Sequence, residues 1–233
     1  MEREGKEKWD IMYASKLVGL QGSRTGRLLR YDPNTGKVDL LATGMHFANG
    51  IAVDKDEKFV VIAETFQAQV RKYHLVGERK GKLDVLVNEL PGLPDGADCS
   101  HENGKCYVVI PSGRFSGFIS SSCFCVKIFP QNQNSFFFFI QAKPSILNLV
   151  YAFPPTIDRI LRGLAMAVPK SLSPKPKKYG CVVEISPESN KILRILQDPK
   201  GDDIAHLYGV TVYDGKLYFG SLVNDYIGVY DLS

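Results

Sequence analysis

A glycine heads three similar segments: Asn49-Gly50-Ile51-Ala52-Val53, Asp95-Gly96-Ala97-Asp98 and Tyr208-Gly209-Val210-Thr211-Val212. Each opens a hairpin whose second strand is strongly apolar: Lys58 to Ala63, Cys106 to Ile110 and Lys216 to Gly220. More polar strands, resembling the hairpin Tyr31 to Leu41, follow. Gly50 and Gly96 stand 46 residues apart. A four-stranded unit that returns every 40–50 residues or so is the mark of a β-propeller blade. In such a blade the first strand lies at the central channel, and the residues just before it project into the channel mouth.

The rest of the chain agrees with an all-β reading. Short β-branched or aromatic runs alternate with Gly, Asp, Asn and Pro turns. They predict thirteen strands, among them Gly26 to Asp32, Lys37 to Leu41, Gln69 to Leu75, Leu83 to Val87, Cys181 to Ile185, Ile192 to Leu196 and Ile227 to Tyr230. With 44% hydrophobic and 23% charged residues, the chain has enough apolar material for a core and is not a disordered composition. No run approaches the roughly 20 apolar residues of a membrane span. A net charge of +4 is too small to point to nucleic acid. The start, MEREGKEKWD, carries no hydrophobic signal region, and no Asn-x-Ser/Thr sequon occurs. Five cysteines show no CxxC spacing. Cys99 and Cys106 face each other across a predicted hairpin, so a disulfide is open to them; a pair of buried free thiols is the favoured expectation.

Gly96 and Gly209 are 113 residues apart, 67 more than one repeat, and the surplus falls between Pro111 and Tyr179. Within it, Pro155 to Pro169 places Ile157, Ile160, Leu161, Leu164 and Val168 at helical spacing. Residues 144–178 are therefore expected to be a helical cap followed by a basic, Pro-rich linker. Residues 113–141 have no period, and their Phe136-Phe137-Phe138-Phe139-Ile140-Gln141 end reads either as a translated intron boundary or as a genuine hydrophobic insertion.

Several motifs, in order, resemble the strictosidine synthase-related family. They are Thr25 to Asp32 (TGRLLRYD), His46-Phe47-Ala48-Asn49-Gly50, Val60 to Thr65 (VVIAET), Leu90 to Gly96 (LPGLPDG) and Asp214 to Leu222 (DGKLYFGSL). The resemblance covers nearly everything except residues 113–141. It implies a six-bladed propeller related to gluconolactonases and paraoxonases. Six blades need 24 strands, so thirteen amount to about half a ring, the C-terminal part of a longer protein. Unpaired strand edges at both ends of such an arc predict poor solubility when the chain is expressed alone.

The resemblance also implies a divalent metal at the channel mouth. It would be held by the Asn of an Asn-Gly motif, the Asp of a Pro-Asp-Gly motif and a Glu from an early blade. The matching positions are Asn49 and Asp95; the Glu is outside this chain. Oxygen donors suit a hard cation, Ca²⁺ foremost. Without the resemblance, Asn49-Gly50 and Asp95-Gly96 are simply tight turns. His46, Phe47 and Tyr208 are expected to line a substrate pocket, with His206 as the general-base candidate; a loop histidine held by its neighbours is the plainer reading of His46 and His206. Glu64 is either a structural carboxylate or a pocket residue.

The function implied is a metal-dependent hydrolase of arylesterase or lactonase type, acting on a small-molecule ester or lactone. A non-catalytic propeller that binds a ligand or protein is the alternative. A condensing enzyme of the strictosidine synthase type is disfavoured, because Tyr208 stands where that chemistry needs a Glu and a phenol of pKa near 10 is a poor replacement. The resemblance further implies an endomembrane or plasma-membrane location, through an upstream anchor that this chain does not contain.

Overall fold

The computed structural model describes residues 22–113 and 178–232, with Ala14, Ser15, Val18 and Gly19 ahead of them. The chain divides into two compact units, Arg24–Arg114 with Lys177–Ser233 and Met1–Ser23 with Phe115–Pro176. The first holds the strands. The expected helix at 155–169, its linker as far as Lys177 and the atypical stretch beyond Gly113 lie outside the described residues.

Among the described residues fifteen strands follow in order: β1 (Gly26–Asp32), β2 (Lys37–Met45), β3 (Ala48–Val53), β4 (Phe59–Glu64), β5 (Gln69–His74), β6 (Leu83–Val87), β7 (Gly92–Leu93), β8 (Ala97–Cys99), β9 (Cys106–Val109), β10 (Ser112–Gly113), β11 (Gly180–Ser186), β12 (Lys191–Asp198), β13 (Gly209–Tyr213), β14 (Lys216–Gly220) and β15 (Gly228–Asp231). Their pairing is antiparallel throughout. β3-β4-β5-β6 and β8-β9-β11-β12 are four-stranded blades. A two-stranded sheet, β1-β2, and a three-stranded one, β13-β14-β15, accompany them. β7 and β10 form a small extra pair of two residues each, too short to carry any period and absent from the sequence reading. The second blade is assembled from distant halves, since β9 pairs directly with β11 (Val109 with Val182, Cys106 with Ile185). The surplus residues thus interrupt a blade at its middle, between its second and third strands.

The apolar second strands are explained by burial on both faces. Along β4, Val60 and Ile62 pack with Leu28, Met45 and Tyr73, while Val61 and Ala63 pack with Val108, Ile110 and Val183. Along β9, Val108 joins that same cluster, and Tyr107 and Val109 turn the other way, toward Leu217 and Phe219. Successive side chains point to opposite faces, so each blade contributes to the cores on its two sides. The described strands form a partial β-propeller, with two complete four-stranded blades.

The expectation of free thiols at Cys99 and Cys106 is corrected: the two are bonded to each other, and Cys181 is the free, buried cysteine among the described residues. Cys99 and Cys106 are direct partners in the β8-β9 ladder. The next pair inward carries the hydrogen bond, Ser100 N–H to the Lys105 carbonyl at 2.8 Å. That leaves the cysteines at the close, non-hydrogen-bonded kind of position, their Cα atoms 4.0 Å apart. The sequence shows the facing; only the register shows the approach.

Candidate functional site at the channel mouth

The three glycines of the repeat meet at one place. Gly50 donates its N–H to the Asp95 carbonyl at 2.9 Å, and Gly96 donates its own to the Tyr208 carbonyl at 3.0 Å. The first strands β3, β8 and β13 are therefore laced together by equivalent bonds, each joining a repeat glycine to the residue before the next. Asn49, Asp95 and Tyr208 are brought side by side as a result. A β-bulge sharpens this at Asn49: Ala48 pairs with Glu64 but Ile51 with Ile62, so β3 carries one extra residue around Asn49-Gly50. Such bulges re-aim side chains. Phe47 and His206, each three residues before a repeat glycine, both adopt positive φ (61° and 52°). The chain turns sharply into the mouth at both places.

Asp95 is half-buried, and burial pushes its carboxyl up to about 6. A hydrogen bond from the Asn49 amide opposes that rise without cancelling it. Among the described residues no lysine or arginine pairs with it. Tyr208 is raised above the ordinary phenol value by burial and then by the neighbouring Asp95. At neutral pH it is thus a hydrogen-bond donor, not a base. A desolvated carboxylate next to an Asn amide whose oxygen is left over, with no lysine or arginine paired to it among the described residues, is a donor set that fits a hard cation. It is only part of a coordination sphere: no group of three or more His, Cys, Asp or Glu that could hold a metal occurs among the described residues.

The other expected residues separate. His46 is buried; its N–H donates to Glu64 Oε1 at 2.6 Å, its Nδ1 lies 3.2 Å from Gln67 Nε2, and its ring packs on Phe66. Phe47 packs on Phe66 as well, at 4.9 Å between ring centres. His206 donates its backbone N–H to the Tyr179 carbonyl at 3.0 Å. Glu64 is fully buried and accepts from Gln69 Nε2 at 2.7 Å and Arg71 Nη1 at 3.1 Å besides His46, so of its two readings the structural carboxylate is the one the geometry shows. Two surface clefts, one around Lys72, His74, Arg79 and Asp84 and one around Leu86, Val87 and Ile192, include none of the mouth residues. Sequence reasoning missed Thr65 and Phe66. Thr65 hydrogen-bonds to both Asn49 and Pro94; its signals were its place at the end of the Val60 to Thr65 motif and a hydroxyl directly after the apolar strand that ends at Glu64.

The strictosidine synthase family model matches residues 9–78. The chain is 31% identical over 231 residues to adipocyte plasma membrane-associated protein of Salmo salar, an alignment covering 99% of this chain and 48% of the relative. It is 29% identical over 213 residues to protein STRICTOSIDINE SYNTHASE-LIKE 10 of Arabidopsis thaliana, covering 91% and 49%. The chain spans about half the length of the curated relatives it matches. Among solved structures it is similar to a luciferin-regenerating enzyme, at a TM-score of 0.47 and 16% identity over 85% of this chain and 45% of that one. A gluconolactonase from Xanthomonas campestris is similar at 0.43 and 11%, over 83% and 40%. The strictosidine synthase family model thus covers residues 9–78, and almost the whole chain is similar to these relatives over about half of their length.

Proposed function

We propose that this chain supplies part of the site of a metal-assisted hydrolase, of arylesterase or lactonase type, for small esters or lactones. The observation that carries the reading is Asp95: a half-buried carboxylate without a lysine or arginine partner among the described residues, beside the Asn49 amide, at the meeting point of three first strands. Asn49 and Asp95 would hold the cation, Ca²⁺ foremost. When bound, such an ion supplies charge stabilisation at a carbonyl oxygen and a more acidic water. Tyr208, protonated beside Asp95, offers a hydrogen bond to a substrate oxygen. His46 and Phe47 form wall rather than chemistry, and His206 is the general-base candidate by its place three residues before Gly209. Tyr208 argues against condensing chemistry of the strictosidine synthase type, which needs a carboxylate at its position.

We also place the propeller at a membrane, on an oxidising side of it. The relatives' name supports the first part, and the Cys99–Cys106 disulfide supports the second. No helix among the described residues is long and apolar enough to cross a membrane.

The test is hydrolysis of phenyl acetate and a lactone panel, with and without chelator, for a protein of the relatives' full length that carries this chain and for its Asn49→Ala and Asp95→Ala variants. Chelator-sensitive turnover lost in both variants is the expected result. Turnover indifferent to chelator and to both substitutions overturns the reading. A folded protein that turns over none of the panel favours a binding propeller.

A further inference from the structure

We propose that Thr65 is the positioning residue that sets the two oxygen donors of the channel mouth relative to each other; this rests on reading Asn49 and Asp95 as cation donors. Thr65 is buried and begins a short 3-10 turn, Thr65–Gln67, at the end of β4. Its hydroxyl donates to the Pro94 carbonyl at 2.8 Å and accepts from Asn49 Nδ2 at 3.4 Å. Asn49 belongs to β3, whereas Pro94 directly precedes Asp95 at the entrance to β8, so one hydroxyl bridges two blades. Thr65 itself is fixed by its backbone: its N–H donates to the Phe47 carbonyl and its carbonyl accepts from Ala68, both at 3.1 Å.

The chemistry of the amide gives the bridge its consequence. An Asn side chain has one oxygen acceptor and two N–H donors. An acceptor at Thr65 Oγ1 and the Asp95 carboxylate both call for N–H, so the nitrogen is held inward and Oδ1 is left as the oxygen available to a cation. A hydroxyl can serve because it donates and accepts at once. Valine has the same shape and can do neither; serine keeps both functions. Residues that orient a ligand without touching the metal typically change its affinity about 10–100-fold when replaced.

The experiment titrates the full chain with Ca²⁺ alone by calorimetry, for wild type, Thr65→Val and Thr65→Ser, with melting temperatures measured in chelator. It adds an NMR readout without metal: solvent exchange of the Asn49 side-chain amide protons in ¹⁵N-labelled protein. Thr65→Val is expected to weaken Ca²⁺ by about tenfold or more. Thr65→Ser should bind within about threefold of wild type, and one Asn49 proton should be slowed in wild type and Thr65→Ser but not in Thr65→Val. Unchanged affinity in Thr65→Val overturns the proposal, as does equal loss in both variants or an Asn49 amide that exchanges alike in all three. If wild type binds no Ca²⁺, the metal reading of the site fails, and the amide exchange alone decides for or against the bridge.

Discussion

The Gly96 N–H donates to the Tyr208 carbonyl at 3.0 Å, and a Cβ built on Gly96 would stand only 2.6 Å from that same oxygen. Gly50 has the same relation to Asp95: its Cβ would fall on the Asp95 carbonyl oxygen and 2.5 Å from the Ala97 nitrogen. Both clashes are with backbone, which cannot swing aside as a side chain tip can. Gly209, third of the series, would meet nothing within 4 Å among the described residues. Gly50→Ala and Gly96→Ala should therefore each destabilise by about 3 kcal/mol or more. Gly209→Ala should be neutral or mildly stabilising, by less than about 1 kcal/mol. Urea denaturation of the three variants checks this, and similar losses at all three positions would refute the close-approach explanation of the repeat.

Cys99 and Cys106 close a short loop of sequence separation 7, and both are buried. Cross-linking so small a loop stabilises by roughly 2–3 kcal/mol in the chain-entropy model. Cys99→Ala is expected to lower stability by about that amount, as is reduction of the wild type. Alkylation after denaturation without reductant should label Cys181 and leave Cys99 and Cys106 unmodified. Burial pushes the Cys181 thiol up to about 11, so it should resist alkylation in the native chain at pH 8. Peptide mapping by mass spectrometry reads both outcomes; labelled Cys99 and Cys106 would show free thiols instead.

Asp95 gives the pH dependence its direction. Burial holds the folded carboxyl near 6, above the ordinary aspartate value. Between about pH 4 and pH 6 the folded chain thus binds more protons than the unfolded one, and stability falls as pH rises through that window. Asp95→Asn removes this cost. In chelator, the variant should be the more stable above pH 6.5 by roughly 1–2 kcal/mol, allowing for partial exposure, with the difference shrinking toward zero near pH 4. Calcium affinity of the wild type should move the other way, weakening below pH 6 as protons compete for the carboxylate. A stability difference independent of pH would mean that burial does not raise the Asp95 carboxyl.

Much of this architecture was legible because its determinants are local. Turn residues such as Pro33-Asn34-Thr35-Gly36, and the short apolar runs of strands such as Phe59–Glu64, mark each hairpin without knowledge of its neighbours. Asn49 and Asp95 were legible through repeats that place them just before first strands. What escaped depends on distance in the fold. The Thr65 hydroxyl acts on Pro94, 29 residues away, and nothing local distinguishes it from any threonine that ends a strand. The Cys99–Cys106 bond turns on which kind of ladder pair the two occupy, a matter of register rather than spacing. The pair β7-β10 joins Gly92–Leu93 to Ser112–Gly113 with too few residues for any pattern.

Glu64 supplies the last prediction, because structural and pocket roles make opposite forecasts for it. Its carboxylate is 0% exposed and takes three donors: His46 N–H from the turn before β3, and Gln69 and Arg71 from β5. The Arg71 guanidinium is itself mostly buried and also donates to the Asp84 and Leu83 carbonyls. Glu64→Ala leaves a buried cation and two N–H donors without their acceptor, which should cost about 3–5 kcal/mol. Removing both charges, in Glu64→Met with Arg71→Met, should recover part of that loss, since a buried ion pair replaced by apolar side chains is often close to neutral. Recovery should stay incomplete, because the His46 N–H remains without an acceptor. A double-mutant cycle by urea denaturation measures this coupling. If instead Glu64→Ala kept full stability while ester hydrolysis or Ca²⁺ binding disappeared, Glu64 would belong to the pocket and not to the frame that holds it.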